Sequence, residues 1–323
     1  MKHKMFSAYF LHLLKIKEQD KGLLAENVAN LLCIDKSSAY RRLRGEIVFT
    51  FDEICQLSKY YYISMDEIAF QELTGEPRSI YLRLPVADVS EPDSMGEMHL
   101  YIDRLKRVAQ KESSEVYIAA NSLQSIFYSQ YQNIFKFFVF KWRYRGNLSV
   151  CEDSTYSDLE VDDMLYKTQQ DLSEACRNFA SITCIWDLAI IAGLVNDVKY
   201  FRSIRLIGDE DVKAIKEELS DLLSDIEWAA TRGYIKDTNA KLELYLSSLD
   251  IESTMYAFGA ADESVALISV FMFHSPVSFN ELAHQKVKEW IKHMRRFSIL
   301  LSGTGDMVRV RFFEKQHRII NSL

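Results

Sequence analysis

The chain has 323 residues, 48% of them hydrophobic and 26% charged, with a formal net charge of −7. That balance excludes a disordered chain and supplies apolar material for about two cores, because a single core rarely grows past about 250–300 residues. The five cysteines, at 33, 55, 151, 176 and 184, are scattered, odd in number and form no CxxC, which fits reduced thiols in a cytosolic protein better than a disulfide framework.

The first stretch carries Phe6, Phe10, Leu13 and Leu14 at helical spacing and no small-residue cleavage site. A first helix is expected there, not a secretory leader. A second helix is expected on Leu24, Val28, Leu31 and Leu32, a third from about Lys36 to Arg44, a fourth from about Phe51 to Tyr61 and a fifth from about Met65 to Phe70. Prolines at 77, 85 and 92 then interrupt the chain. Proline lacks a backbone donor and turns its predecessor away from helix. The expected division is therefore a helical domain at 1–76, a linker at 77–93 and a larger domain at 94–323.

Within that larger domain, Ser94 and Glu97 have the spacing of a capping box before Met98, Ile102, Leu105 and Val108. EVYIAA at 115–120 reads as a strand, and an aromatic helix follows to about Tyr144. Three helices are expected at 158–180, 184–203 and 209–232. The longest apolar stretch, Ile182 to Val195, is broken by Asp187; it is too short to cross a bilayer and reads as part of a buried helix. Strands are expected at 241–247, 253–259 and 264–273, the last two joined as a hairpin through AADE. Ser278 with Glu281 is expected to cap another helix, and a final helix starts near Asp306. The fold expected is mainly α: five N-terminal helices, then a helix-dominated α+β domain with a small antiparallel sheet.

Charge is distributed unevenly. Residues 1–45 hold nine Lys/Arg against four Asp/Glu, whereas residues 46–76 hold one Lys against seven acids. The positive field is concentrated on the first helices, and an acidic remainder limits non-specific adhesion to polyanions.

Residues 24–46, LAENVANLLCIDKSSAYRRLRGE, have the parts of a helix-turn-helix. Ala29 is small enough for two helices to cross closely. Val28, Leu32, Ile34, Ala39 and Leu43 have the spacing to lock them together. Asp35 can cap the third helix by accepting from the amide of Ser37 or Ser38, and Gly45 can stop it in the left-handed conformation. This leaves Lys36, Ser37, Ser38, Tyr40, Arg41 and Arg44 facing outward. Hydroxyls near a recognition-helix start can read base edges, Lys and Arg can pair with guanine, and arginines further along reach phosphates.

On these residues the segment resembles the Cro/C1-type (XRE, lambda-repressor-like) helix-turn-helix family. The stretch at 50–68, with Ile63, Ser64, Asp66, Glu67 and Ile68, resembles that family's fourth and fifth helices. The resemblance spans about residues 5–70 and implies a five-helix domain that binds double-stranded DNA. Three positions depart from the family pattern. Ala25 stands where a DNA-touching glutamine is common, Cys33 replaces the turn glycine, and Arg42 takes a usually apolar position.

Elsewhere the signals are weaker. Nine aromatics between Phe127 and Tyr144 fit a packed core, with an apolar ligand pocket or a dimer interface as alternatives. SGTGD at 302–306 could present amides to an anion, but it lacks the Lys and Ser/Thr of a phosphate loop. The seven histidines have no metal-ligand spacing, and there is no GxSxG, HExxH or GxGxxG pattern. No enzyme, cofactor or metal is expected. The expected protein is a cytoplasmic, homodimeric, sequence-specific DNA-binding regulator with no membrane association. Its C-terminal domain would dimerise and answer a small-molecule or protein effector. The alternatives are an enzyme, or a protein-interaction scaffold, carrying a helix-turn-helix as a targeting module.

Overall fold

Two local devices set the helices of the N-terminal part. Asp20 accepts from the amides of Gly22 (2.7 Å) and Leu23 (3.1 Å) and so starts α2 (Lys21–Leu31). Thr50 and Glu53 exchange backbone and side-chain hydrogen bonds at 2.8 and 3.3 Å, a capping box that starts α4 (Phe51–Tyr61). With α1 (His3–Lys17) and α3 (Lys36–Leu43), these helices bury Phe10, Leu14, Leu24, Val28, Ala39, Leu43 and Leu57 in one core. Phe49, between α3 and α4, meets Phe10 edge-on at 6.0 Å.

The computed structural model describes residues 3–18, 20–61, 63, 65, 92–146, 155–260, 263–270, 275–303 and 306–323. The backbone forms two units, Met1–Tyr81 and Leu82–Leu323. The expected fifth helix, apart from Met65, and most of the expected linker lie outside the described residues.

The second unit is built on a mixed sheet. In chain order it runs α5 (Pro92–Ala109), β1 (Glu115–Ala120), α6 (Ser125–Tyr128), α7 (Gln132–Gly146), α8 (Asp163–Arg177), β2 (Ser181–Trp186), α9 (Ala192–Ser203), α10 (Asp209–Arg232), β3 (Lys241–Ser247), β4 (Met255–Gly259), β5 (Ser264–Ile268), β6 (Val277–Ser278), α11 (Glu281–Met294), β7 (Ser298–Leu300) and α12 (Asp306–Asn321). Among the described residues the sheet has seven strands in the order β6-β5-β4-β1-β2-β3-β7. Strands β1, β2 and β3 are parallel. The others pair antiparallel on either side of them.

This overturns the expectation of a mainly α fold with a small antiparallel sheet. The decisive misreading was at 181–186. Ile182, Cys184, Ile185 and Trp186 are all fully buried, because β2 stands mid-sheet with both faces covered. A strand in that position has no polar alternation, so its pattern cannot be told from a buried helix by periodicity. The helix expected over 184–203 is instead the end of β2 followed by α9.

Strands β1, β2 and β3 advance in one direction, so right-handed crossovers put their helices on one face. There Val116, Ile118, Ile182, Cys184, Leu242 and Leu244 meet the large core formed with α5 to α10 and α12. The opposite face, with Ala119, Ile185 and Tyr245, packs against Ala283, Val287 and Ile291 of α11.

Smaller expectations shift by a few residues. Proline 92 opens α5, so Ser94 lies inside the helix rather than at its cap. Asn280, not Ser278, caps α11, accepting from the amides of Leu282 (2.8 Å) and Ala283 (3.3 Å). The β4–β5 hairpin forms as expected, closed by the Ala260 amide donating to the Glu263 carbonyl at 2.9 Å. The aromatic stretch breaks into α6 and α7, and Phe127, Tyr128, Phe135, Phe137, Phe138 and Phe140 are buried in the large core.

Candidate nucleic-acid interface

Helix α3 is short, eight residues or about 12 Å, and both of its ends are fixed by side-chain and backbone chemistry. At the start, Asp35 accepts from the Ser38 amide (2.8 Å) and the Ser38 hydroxyl (2.6 Å). These two bonds hold the Asp35 carboxyl below the usual range. At the end, the Gly45 amide donates to the Arg42 carbonyl and the Glu46 amide to the Arg41 carbonyl, each at 2.9 Å. That pair of bonds is a Schellman stop, and Gly45 supplies the left-handed residue it needs, at φ +76°.

The turn from α2 to α3 is also left-handed. Cys33 sits at φ +51°, where the side chain costs what a glycine would not. Two opposite substitutions test these turns. Cys33→Gly should stabilise the first unit by up to about 1 kcal/mol, and Gly45→Ala should cost about 1–2 kcal/mol. A Cβ on Gly45 would meet only Leu11 Cδ1 at 3.7 Å, so backbone strain alone is measured. Urea unfolding curves that do not move in these two directions would contradict the geometry.

The remaining two departures from the family pattern have physical explanations. Ala25 is fully buried in the core under α2, so it faces inward. Arg42 is largely buried and pairs with Glu53 at 2.9 Å. Burial alone would raise the Glu53 carboxyl, but Arg42 and the Thr50 amide outweigh it and the group titrates below its usual value. An ion pair thus replaces the apolar contact and ties α3 to the capping box of α4.

The candidate DNA-reading residues are not equivalent. Lys36, Ser37, Arg41 and Arg44 are exposed, whereas Ser38 and Tyr40 are half-buried. The Ser38 hydrogen is committed to Asp35, leaving its oxygen as an acceptor, and Tyr40 packs against the core of the unit. The exposed cations rest on acids. Lys36 pairs with Glu26 at 3.1 Å, and Glu46 holds both Arg44 (2.7 Å) and Arg41 (3.5 Å). The Arg44 hydrogen bond is the main cause lowering the Glu46 carboxyl. Exposed pairs of this kind are weak and screened by salt, so a phosphate can displace them. Glu26 and Glu46 were not singled out by sequence reading. The signal for Glu46 was its position, five and two residues after Arg41 and Arg44 across a glycine stop.

Among the described residues no cluster of His, Cys, Asp and Glu is arranged to hold a metal ion, and no helix is long and apolar enough to cross a membrane. Residues 304 and 305 of the SGTGD segment lie outside the described residues. Beside them the guanidinium of Arg309 donates to the carbonyls of Leu301 (3.0 Å) and Gly303 (2.8 Å) and pairs with Asp306.

No curated protein and no solved structure gives a match to this chain. Residues 11–85, under a quarter of the chain and holding α2, α3 and α4, match the family model described as BetR domain, a helix-turn-helix type of DNA-binding domain.

Proposed function

We propose that this chain is a sequence-specific transcription regulator, of the Cro/C1-like kind, that reads duplex DNA with α3 in the major groove. One observation carries the reading. Inside a stretch matched by a DNA-binding domain family, α3 is locked at both ends and turns Lys36, Ser37, Arg41 and Arg44 outward. Lys36, Ser37 and Arg41 are assigned to base edges, with Ser38 and Tyr40 beside them, and Arg44 to a phosphate.

The protein is proposed to act in the cytoplasm as a homodimer, since one eight-residue helix touches too few bases for useful selectivity. The second unit would supply the dimer contact and receive a signal, without catalysis of its own. Its polar groups at the carboxyl ends of the parallel strands, where such sheets often carry sites, are engaged in structure. The Asn121 amide donates to the Glu252 carbonyl at 3.1 Å. Asp187 accepts from the amides of Ala189 (2.7 Å) and Ile251 (2.9 Å). The Ser247 hydroxyl donates to the Leu249 carbonyl at 2.6 Å.

Selection of bound sites from random duplexes by the full chain tests the reading. Inverted half-sites about 10 bp apart, or a multiple of that, are expected, with a dimer in sedimentation at micromolar concentration. Recovery of unrelated sequences would remove the regulator reading, and a monomer on DNA would remove the dimer.

A further inference from the structure

The sequence concentrates positive charge on the first helices, yet the folded unit sets an acid against every cation of the segment 36–44. Lys36 pairs with Glu26 at 3.1 Å and Arg42 with Glu53 at 2.9 Å, while Glu46 holds Arg44 at 2.7 Å and Arg41 at 3.5 Å. Four cations thus meet three carboxylates, and Asp35, which caps α3, is a fourth acid beside them. Counted with these partners, the reading helix carries no net charge. The three pairing acids come from three places: Glu26 from α2, Glu46 from beyond the Gly45 stop and Glu53 from α4.

Glu26 and Glu46 differ from Glu53. The Arg42–Glu53 pair is largely buried and ties two helices together. In the other pairs the side chains are between 46% and 61% exposed, and none of them belongs to the core. Both acids are nevertheless held in position. Glu26 stands on a capped helix, and the Glu46 amide donates to the Arg41 carbonyl at 2.9 Å within the stop itself. A carboxylate placed in this way does for a guanidinium or an ammonium group what a phosphate oxygen would do. Non-specific affinity for duplex DNA comes almost wholly from cations that reach phosphates, and here those cations are already matched within the protein.

We propose that Glu26 and Glu46 are specificity-determining residues: they act as built-in phosphate mimics that keep Lys36 and Arg41 off the backbone of unrelated DNA and yield them to base edges. The inference rests on the reading of α3 as the DNA-reading helix and adds how that helix discriminates. The sharing of Glu46 separates its two arginines. Arg44 can leave for a phosphate on any duplex, because Glu46 then still has Arg41. Arg41 leaving as well strands Glu46 without a cation beside a polyanion, and Lys36 leaving strands Glu26 in the same way. Exchanging one anion for another gives no return for that repulsion. A bidentate guanine contact does, and it is present only on the matching sequence. The pairs are exposed, hence weak enough to open when that contact is offered.

Filter binding of the full-length protein to the selected duplex and to a random one, over a range of salt concentrations, tests this with Glu26→Gln, Glu46→Gln and the double variant. Glutamine keeps the size of the side chain and removes its charge. On random DNA each substitution frees one cation for a phosphate, so the log–log salt slope should steepen by about 0.9 and affinity at about 0.1 M salt should rise about eightfold. On the selected duplex Lys36 and Arg41 have left their acids in the wild type too, so the slope should hold and affinity should rise only about twofold for each pair. The preference for the selected duplex should therefore fall, by about 15-fold in the double variant. Asp52→Asn is the control. It removes one negative charge from the same unit at an exposed residue paired with none of these cations, and should leave the preference intact. Equal gains on both duplexes, no gain on random DNA, or the same loss of preference from Asp52→Asn would overturn the assignment and leave α3 as the reader. A wild type that binds both duplexes alike would strike the regulator reading itself, and this inference with it.

Discussion

Lys36→Ala combined with Arg41→Ala should lower affinity for the selected duplex by at least about 25-fold, with little change on random DNA. Each side chain stands exposed on α3, paired with Glu26 or Glu46. A good base contact is worth about 1–3 kcal/mol of discrimination, and two such losses combine. Neither residue contributes to the core of the first unit, so unfolding midpoints should stay where they are. Arg44→Ala should behave differently. A phosphate contact carries no sequence information, so its loss weakens all duplexes alike and lowers the log–log salt slope by about 0.9. Filter binding at several salt concentrations separates the two outcomes. A double variant that binds the selected site like wild type would mean that α3 does not read DNA, and would favour a scaffold in which this unit holds another protein.

Trp186→Ala should unfold the second unit or leave it barely stable. Trp186 is fully buried at the end of β2, with Phe127 edge-on at 5.6 Å and Phe312 at 6.3 Å. Its indole N–H donates to Gln124 Oε1 at 2.8 Å. Removing the ring costs about 3–5 kcal/mol in lost burial and cavity. It also strips Gln124, 1% exposed, of its main donor and leaves its oxygen the weak Cys184 thiol at 3.6 Å, a lost bond that costs about 1 kcal/mol more. The sum is of the order of the whole stability of an ordinary domain, about 5–15 kcal/mol. Trp186→Phe keeps most of the ring and should be milder, its main loss being the bond to Gln124. Thermal melts read both. A shift below about 1 kcal/mol for the alanine variant would contradict the placement of this residue between the layers.

The helix-turn-helix was readable because its determinants are local. A cap, a left-handed stop and an apolar spacing all act within a few residues, so Asp35, Gly45, Val28 and Leu43 could be assigned in advance, and the bounds of α4 came out as expected. The roles of Arg42 and Glu46 were not readable. Each depends on a side chain brought near by a turn: Glu53 from α4 in one case, and two arginines across a glycine in the other. The amphipathic helices of the second unit were legible for the same reason as α2 and α3, since solvent on one face leaves a period in the residues. Strand β2 left no such record, because layers on both faces make every position apolar.

Local chemistry in the chain therefore settled where turns and caps fall, which helix carries exposed basic residues, and that a hairpin joins β4 to β5. Folding in three dimensions settled which strands are neighbours, that three of them run parallel, and that α11 covers the face of the sheet opposite the large core. Those outcomes depend on contacts between segments far apart in the chain, such as Glu115 of β1 with Gly259 of β4, and nothing in a window of neighbouring residues encodes such a contact.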